Sequence, residues 1–264
     1  SSLQLGSWST ELQRLLFAHP AYALTHDIAG LKRCAHELES YVEEGFRFEG
    51  RAAMNTAERL RERGQYARAR EILADTGATM REDDYAMRQW FRSSMAAVEL
   101  EAGATEAALE HAVEVAELGK SPAHGLFLPR LRCERIAGIA LWRLGRKEEG
   151  KRRLRAAAEL AEARDCPVHA GHMHESLARI AHAEGERLDY EAHTARAGEW
   201  LLATDNPYLV AVHERLVRLG RDGAGEVVTE TAAESTSGDD DTVEMPRGIR
   251  HSQDSDSATQ REVK

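Results

Sequence analysis

Residues Arg61–Leu73 read "RERGQYARAREIL". A glycine interrupts a run of Arg, Glu, Leu and Ala, residues with good helix propensity. The stretch reads as the end of one helix, a tight turn at Gly64 and the start of another helix. Three more stretches have the same build: "LEAGATEAALEHA" (Leu100–Ala112), "WRLGRKEEGKRRL" (Trp142–Leu154) and "HAEGERLDYEAHT" (His182–Thr194). Their glycines, Gly64, Gly103, Gly145 and Gly185, are 39, 42 and 40 residues apart. A period near 40 residues, made of two helices, predicts stacked repeats that bury their apolar faces against one another.

The pattern extends beyond the turns. Seven residues before each glycine stand Ala57, Ala96, Gly138 and Ala178, and five residues after it stand Ala69, Ala108, Gly150 and, in the fourth unit, Tyr190. Small residues at these offsets let paired helices approach closely; Ala192 is the packing residue expected in the fourth unit. Over Phe46–Asn206 the chain resembles the tetratricopeptide repeat family, with "GQYARA" its best match. The family's Trp at position four is replaced by Ala53, Arg92, Glu134 and His174, and the period exceeds the family's 34 residues. Long repeats of this kind look like those of multidomain bacterial signalling proteins, such as ATPase-type transcription regulators and kinase-associated repeat regions. The resemblance implies an all-α fold: a right-handed superhelical solenoid of antiparallel helix pairs.

Around the four repeats at 46–206, residues 1–45 read as N-terminal helices, a divergent repeat or cap. "WSTELQRLLFAHP" and "ALTHDIAGLKRCAHELESYVEEG" are the two segments, parted near Pro20. Residues 207–221, "PYLVAVHERLVRLGR", read as a capping helix begun at Pro207 and closed by Gly220. From Asp222 to Lys264 the chain carries eleven acids and four bases and has no aromatic residue. That composition predicts a disordered acidic tail. The tail accounts for −7 of the chain's net charge of −10, so the other 221 residues are close to balanced. Neither part has the positive excess of a nucleic-acid binder. The longest apolar run, "IAGIALW" (Ile136–Trp142), is far short of a membrane span. Cys34, Cys133 and Cys166 form no CxxC and no disulfide framework, which suits a reducing cytoplasm. A start at Ser1 without Met suits either a trimmed chain or a piece of a larger protein.

The richest source of candidate ligands is "HAGHMHESLARIAHAEG" (His169–Gly185). The zinc-protease pattern HExxH fails at Ser40, Ala178 and Val217, the fifth residues after His36, His174 and His213. "CPVH" (Cys166–His169) lacks a second ligand pair. No phosphate loop, GxGxxG or GxSxG occurs. No catalytic residue, metal or cofactor is therefore expected. A metal-dependent hydrolase built on the histidine-rich helix is the weakest of the functional alternatives. On a helical wheel, Ala170, Met173, Leu177, Ile180 and Ala181 share the apolar side, with His174 at its edge. His172, Glu175, Arg179 and His182 lie opposite, on the side expected to face a groove.

The resemblance gives that line a role. In tetratricopeptide repeats the first helix of each pair lines a concave groove, and counting back from the glycines puts four residues of each unit there. They are Arg51, Met54, Glu58 and Arg61; Trp90, Ser93, Ala97 and Leu100; Arg132, Arg135, Ile139 and Trp142; and His172, Glu175, Arg179 and His182. Arginines hold carboxylates in fork geometry and indoles supply apolar anchors. The candidate peptide groove is accordingly Arg51, Arg61, Trp90, Arg132, Arg135, Trp142, His172, Glu175, Arg179 and His182. The expected function is an interaction scaffold, binding a peptide or neighbouring domain, with an acidic segment as the partner the arginines suit. The chain's own acidic tail is a second occupant to consider. The alternative is a sensor region of a larger signalling ATPase, transcription regulator or kinase. Two histidines in the groove predict binding that responds to pH between about 5 and 8.

Overall fold

A computed structural model describes residues 14–15, 17–45, 48–81, 83–121, 123 and 125–221. All of them belong to one compact unit. The expected acidic tail lies outside the described residues. Regular structure among the described residues is entirely helical. Residues 17–24 form α1. There follow α2 (Ile28–Glu43), α3 (Glu49–Glu62), α4 (Tyr66–Thr79), α5 (Tyr85–Glu101), α6 (Thr105–Leu118), α7 (Phe127–Arg143), α8 (Lys147–Glu162), α9 (Pro167–Glu184), α10 (Arg187–Leu202) and α11 (Pro207–Arg221).

The four-fold glycine pattern corresponds to one repeated helix ending. Gly64 has φ +72, a left-handed conformation that costs little only without a Cβ. That conformation swings the next N–H back, so Gln65 donates to Leu60 O while Gly64 donates to Arg61 O. These bonds satisfy carbonyls that the helix end leaves open. The same closure joins Ala104 to Glu99, Arg146 to Leu141 and Glu186 to Ala181, each after a glycine of positive φ. Three other connections turn at non-glycine residues of positive φ: His26, Asp165 and Asp205.

Two boundaries depart from the sequence expectation. Pro20 lies inside α1 rather than at its end, and the chain turns only at His26. The start of α2 is fixed there by Asp27, whose side chain accepts from Gly30 N–H at 2.7 Å. Gly220 does not close α11, which runs on to Arg221. The start at Pro207 is capped by Asn206, whose Oδ1 accepts from Tyr208 N at 3.0 Å and Leu209 N at 3.3 Å.

The core is distributed along the chain. One cluster joins Leu15 to Cys34, Leu38 and Ala52, and a second joins α3, α4 and α5 through Met54, Leu60, Leu73 and Phe91. A third spans α5–α7 through Ala96, Ala108, Val115 and Ala137. A fourth spans α7–α9 and a fifth α9–α11. Each cluster is thus shared by three consecutive helices. Odd-numbered helices also meet directly: α3 with α5, α5 with α7, α7 with α9 and α9 with α11. Small residues permit the close approach of consecutive helices: a Cβ on Gly150 of α8 would lie 2.5 Å from Gly138 O of α7, and one on Gly171 of α9 would lie 2.3 Å from Leu201 Cδ2 of α10.

Candidate functional site

The odd-numbered helices bring most of the anticipated groove residues to one face, but that face is a buried charged network. Its first hub is Glu58 on α3, whose relative exposure is 0%. Arg132 on α7 grips both carboxylate oxygens, at 2.7 and 3.0 Å, in a bidentate pair. Arg61 donates to the same carboxylate at 2.8 Å and Ser94 Oγ at 2.6 Å. Burial raises the proton affinity of Glu58, but Arg132 and Arg61 outweigh it and hold the carboxyl well below its usual range. Arg61 also reaches Glu62 and Glu101.

The second hub is Glu175 on α9. It accepts from Arg179 Nε at 3.1 Å and Arg135 at 3.3 Å, and its Oε2 lies 2.9 Å from His172 Nδ1. Ser176 Oγ accepts from Arg135 Nε at 2.8 Å and donates to His172 O. Burial opposes ionisation here too, and the bond from His172 and the charge of Arg135 prevail, so the carboxyl is strongly acidic. Burial in turn lowers the proton affinity of His172, against the pull of Glu175.

The N-terminal segment is seated on this face. His19 is buried with its ring 6.5 Å from that of Trp90. Burial drives its pKa down to about 4; Glu58 pulls it up, while Arg132, Arg51 and Arg61 push it down. Leu24 O lies 3.0 Å from His172 Nε2. His26 stacks on Tyr208 of α11 at 4.4 Å and 26°, and its Nδ1 lies 2.5 Å from Glu62 Oε2. Residues 19–26 therefore touch helices α3, α5, α9 and α11 at named side chains.

The anticipated residues divide accordingly. Arg61, Arg132, Arg135, His172, Glu175 and Arg179 belong to the two hubs. Arg51 and Trp90 adjoin His19. Trp142 and His182 stand apart. Trp142 Nε1 donates to Glu184 at 2.9 Å, beside Lys151 and Lys147, and the His182 ring meets Tyr190 at 5.3 Å. The wheel placed His172 and Glu175 opposite the core, yet both are buried. A wheel describes one helix; here the covering comes from α7 and from the segment around Leu24. Arg179 alone of that helix's hub residues keeps substantial exposure, 43% of its side chain. His174 turns to α8 and α10, with Nε2 3.0 Å from Glu162 and Nδ1 3.1 Å from His193 Nδ1.

Sequence reasoning missed His19, Leu24, His26 and Tyr208. No motif marks them, because their significance comes from contacts between distant positions, 148 apart for Leu24 and His172 and farther still for His26 and Tyr208. Glu58 was legible as a groove position, though not as the acceptor of two arginines. Among the described residues no group of three or more His, Cys, Asp or Glu side chains is arranged to hold a metal ion. No described helix is long and apolar enough to cross a membrane. Comparison with family models, with curated proteins and with solved structures returns no match to this chain.

Proposed function

We propose that the chain is an interaction module, a tetratricopeptide-like scaffold whose odd-helix face receives a segment of another protein or of a neighbouring domain. The observation that carries the reading is the seat of residues 19–26, where polypeptide lies on that face through a backbone carbonyl and two imidazoles. A surface that accepts its own chain in this way has the chemistry to accept a similar segment from elsewhere. The architecture in this reading is a right-handed superhelix of antiparallel pairs. Support for antiparallel pairing comes from α9 and α10, where Gly171 meets Leu201, His174 meets His193 and His182 meets Tyr190. Numbers rise on one helix as they fall on the other.

The arginines change the expected partner. Arg132 and Arg61 are spent on Glu58, and Arg135 on Glu175. An acidic segment would have to break those pairs to reach them. The test is a screen of the purified chain against immobilised peptides, repeated with Arg179→Ala and Arg215→Ala, which remove exposed arginines of α9 and α11. Selected peptides are expected to lose at least tenfold in affinity to each variant, with helical circular dichroism unchanged. If no peptide is retained, or if binding ignores both substitutions, the odd-helix face is not the binding surface.

A further inference from the structure

We propose that residues 19–26 are a self-docked competitor: they occupy the place of a partner segment, a helical turn carrying a neutral hydrogen-bonding side chain followed by a bend that carries, seven residues on, a basic one. The inference rests on the scaffold reading above and names the partner's chemistry. Two features support it, the groups the seat offers and the incompleteness of its present fit.

The seat has two unlike ends. At the first, the buried His19 ring lies edge-on to Trp90 of α5 at 6.5 Å and within the electrostatic reach of Glu58, Arg51 and Arg61 on α3 and Arg132 on α7. Three guanidiniums near one carboxylate disfavour a further cation there, so a neutral donor or acceptor fits. At the second end, His26 Nδ1 meets Glu62 on α3 and its ring lies on Tyr208 of α11. Arg61 already holds Glu62 Oε1 and Arg215 lies 5.5 Å over the Tyr208 ring, so Glu62 Oε2, the oxygen that faces His26, is the acceptor left for a basic side chain. Between the ends Ala23 is buried, which leaves room for a small residue only. Seven positions separate the two side chains, the first on α1 and the second at the turn that follows it.

The resident segment fits this seat incompletely. His19 Nε2 is buried and has no hydrogen-bond partner among the described residues. His26 is held at φ +53, which L residues adopt rarely. His172 has an acceptor at each ring nitrogen, Glu175 Oε2 at 2.9 Å and Leu24 O at 3.0 Å. Only the charged imidazolium donates to both at once, and burial disfavours that form. Phe17, at the start of α1, is 64% exposed and adds little to the seat. An arginine or lysine opposite Glu62 would make a stronger contact than His26 does.

The test uses the full chain and fluorescein-labelled peptides with the sequence of residues 15–28, either unchanged or carrying His26→Arg or His26→Glu. The chain is taken as wild type and as His26→Asp, which sets a carboxylate against Glu62 in a backbone conformation that aspartate tolerates. The H26D chain is expected to bind the unchanged peptide at least tenfold more tightly than wild type does. The His26→Arg peptide should bind best and the His26→Glu peptide worst. Adding Tyr208→Ala to H26D should abolish the gain. Hydrogen exchange of residues 17–24 should rise in H26D. Equal binding by the two chains, or preference for the acidic peptide, overturns the proposal. So does protection of residues 17–24 that persists even in an Ala23→Glu, His26→Asp double variant, since the segment would then be a fixed part of the core. If unrelated peptides still bind through Arg179 and Arg215, only the competitor proposal fails and the scaffold reading stands.

Discussion

At Glu58 a carboxylate with no exposed surface holds two guanidiniums and a hydroxyl. Such a group is more consequential when broken than when formed. Removing its charge leaves Arg132 and Arg61 facing each other in a dry site, and breaking a buried pair typically costs about 3–5 kcal/mol. Glu58→Gln should therefore lower the urea-unfolding free energy by about that amount, whereas Glu149→Gln, at an exposed pair with Arg146, should change it by less than about 1 kcal/mol. Equal effects would show that the Glu58 cluster is not buried in solution. Cysteine chemistry provides a second check at this scale. Burial pushes the thiols of Cys133 and Cys34 up to about 12 and 11, while Cys166 is partly exposed. Because the thiolate is the reactive form, a disulfide reagent should label Cys166 first in the native chain, as peptide mass spectrometry would show. Faster labelling of Cys133 would contradict its place in the α5–α7 core.

Two glycines separate local from packing demands at the level of the helix pair. A Cβ at Gly145 would touch nothing within 4 Å, so Gly145→Ala is penalised by its φ of +83 alone, about 1–2 kcal/mol. Gly150 lies inside α8. A Cβ there would lie 2.5 Å from Gly138 O and 2.9 Å from Trp142 N, both backbone atoms. Gly150→Ala must push α7 and α8 apart, and overpacking of this kind costs about 1–3 kcal/mol, set against the better helix propensity of alanine. Thermal melts should thus show both variants destabilised, with only Gly150→Ala altering near-ultraviolet signals from Trp142. The glycines were legible in the sequence because a helix ending is a local event: a break in propensity, then φ above zero. The apolar faces were legible for the same reason. The N-terminal break was not. Pro20 is the stronger local signal, yet Asp27 as a cap and the contacts of His26 place the turn six residues later.

Over the whole molecule, the interior histidines set an acid limit. Burial lowers His19 to about 4 and His169 to about 3, while an unfolded chain titrates its imidazoles near 6.5. Groups whose folded pKa is depressed contribute stability that is present above about pH 6.5 and lost as pH falls toward the folded values. At pH 5 each histidine would cost about 2 kcal/mol. The melting temperature is expected to be level from pH 8 to 7, then to fall steeply before the carboxylates titrate. His169→Gln should remove part of that fall. A melting temperature that is flat between pH 7 and 5 would show that these imidazoles are solvated. This sensitivity differs from the binding response anticipated at His172 and His182, since His182 lies outside the network. The register of the odd-numbered helices could be counted from the glycines, and eight of the ten anticipated residues lie at the hubs or near His19. That the face would be covered could not be counted, because the covering segment comes from the other end of the chain.

Folding order follows from the contact between Leu24 O and His172. Cores shared by three consecutive helices couple only neighbours, and such arrays assemble quickly from local contacts but loosen from their ends. A bond across 148 positions closes a loop that no neighbouring contact shortens until the intervening helices are in place. It should therefore form late. Once formed, it couples the opening of α1 to that of α9, and the His26–Tyr208 stack extends the coupling to α11. The two ends of this row of helices, where an open array would fray separately, are expected to open together.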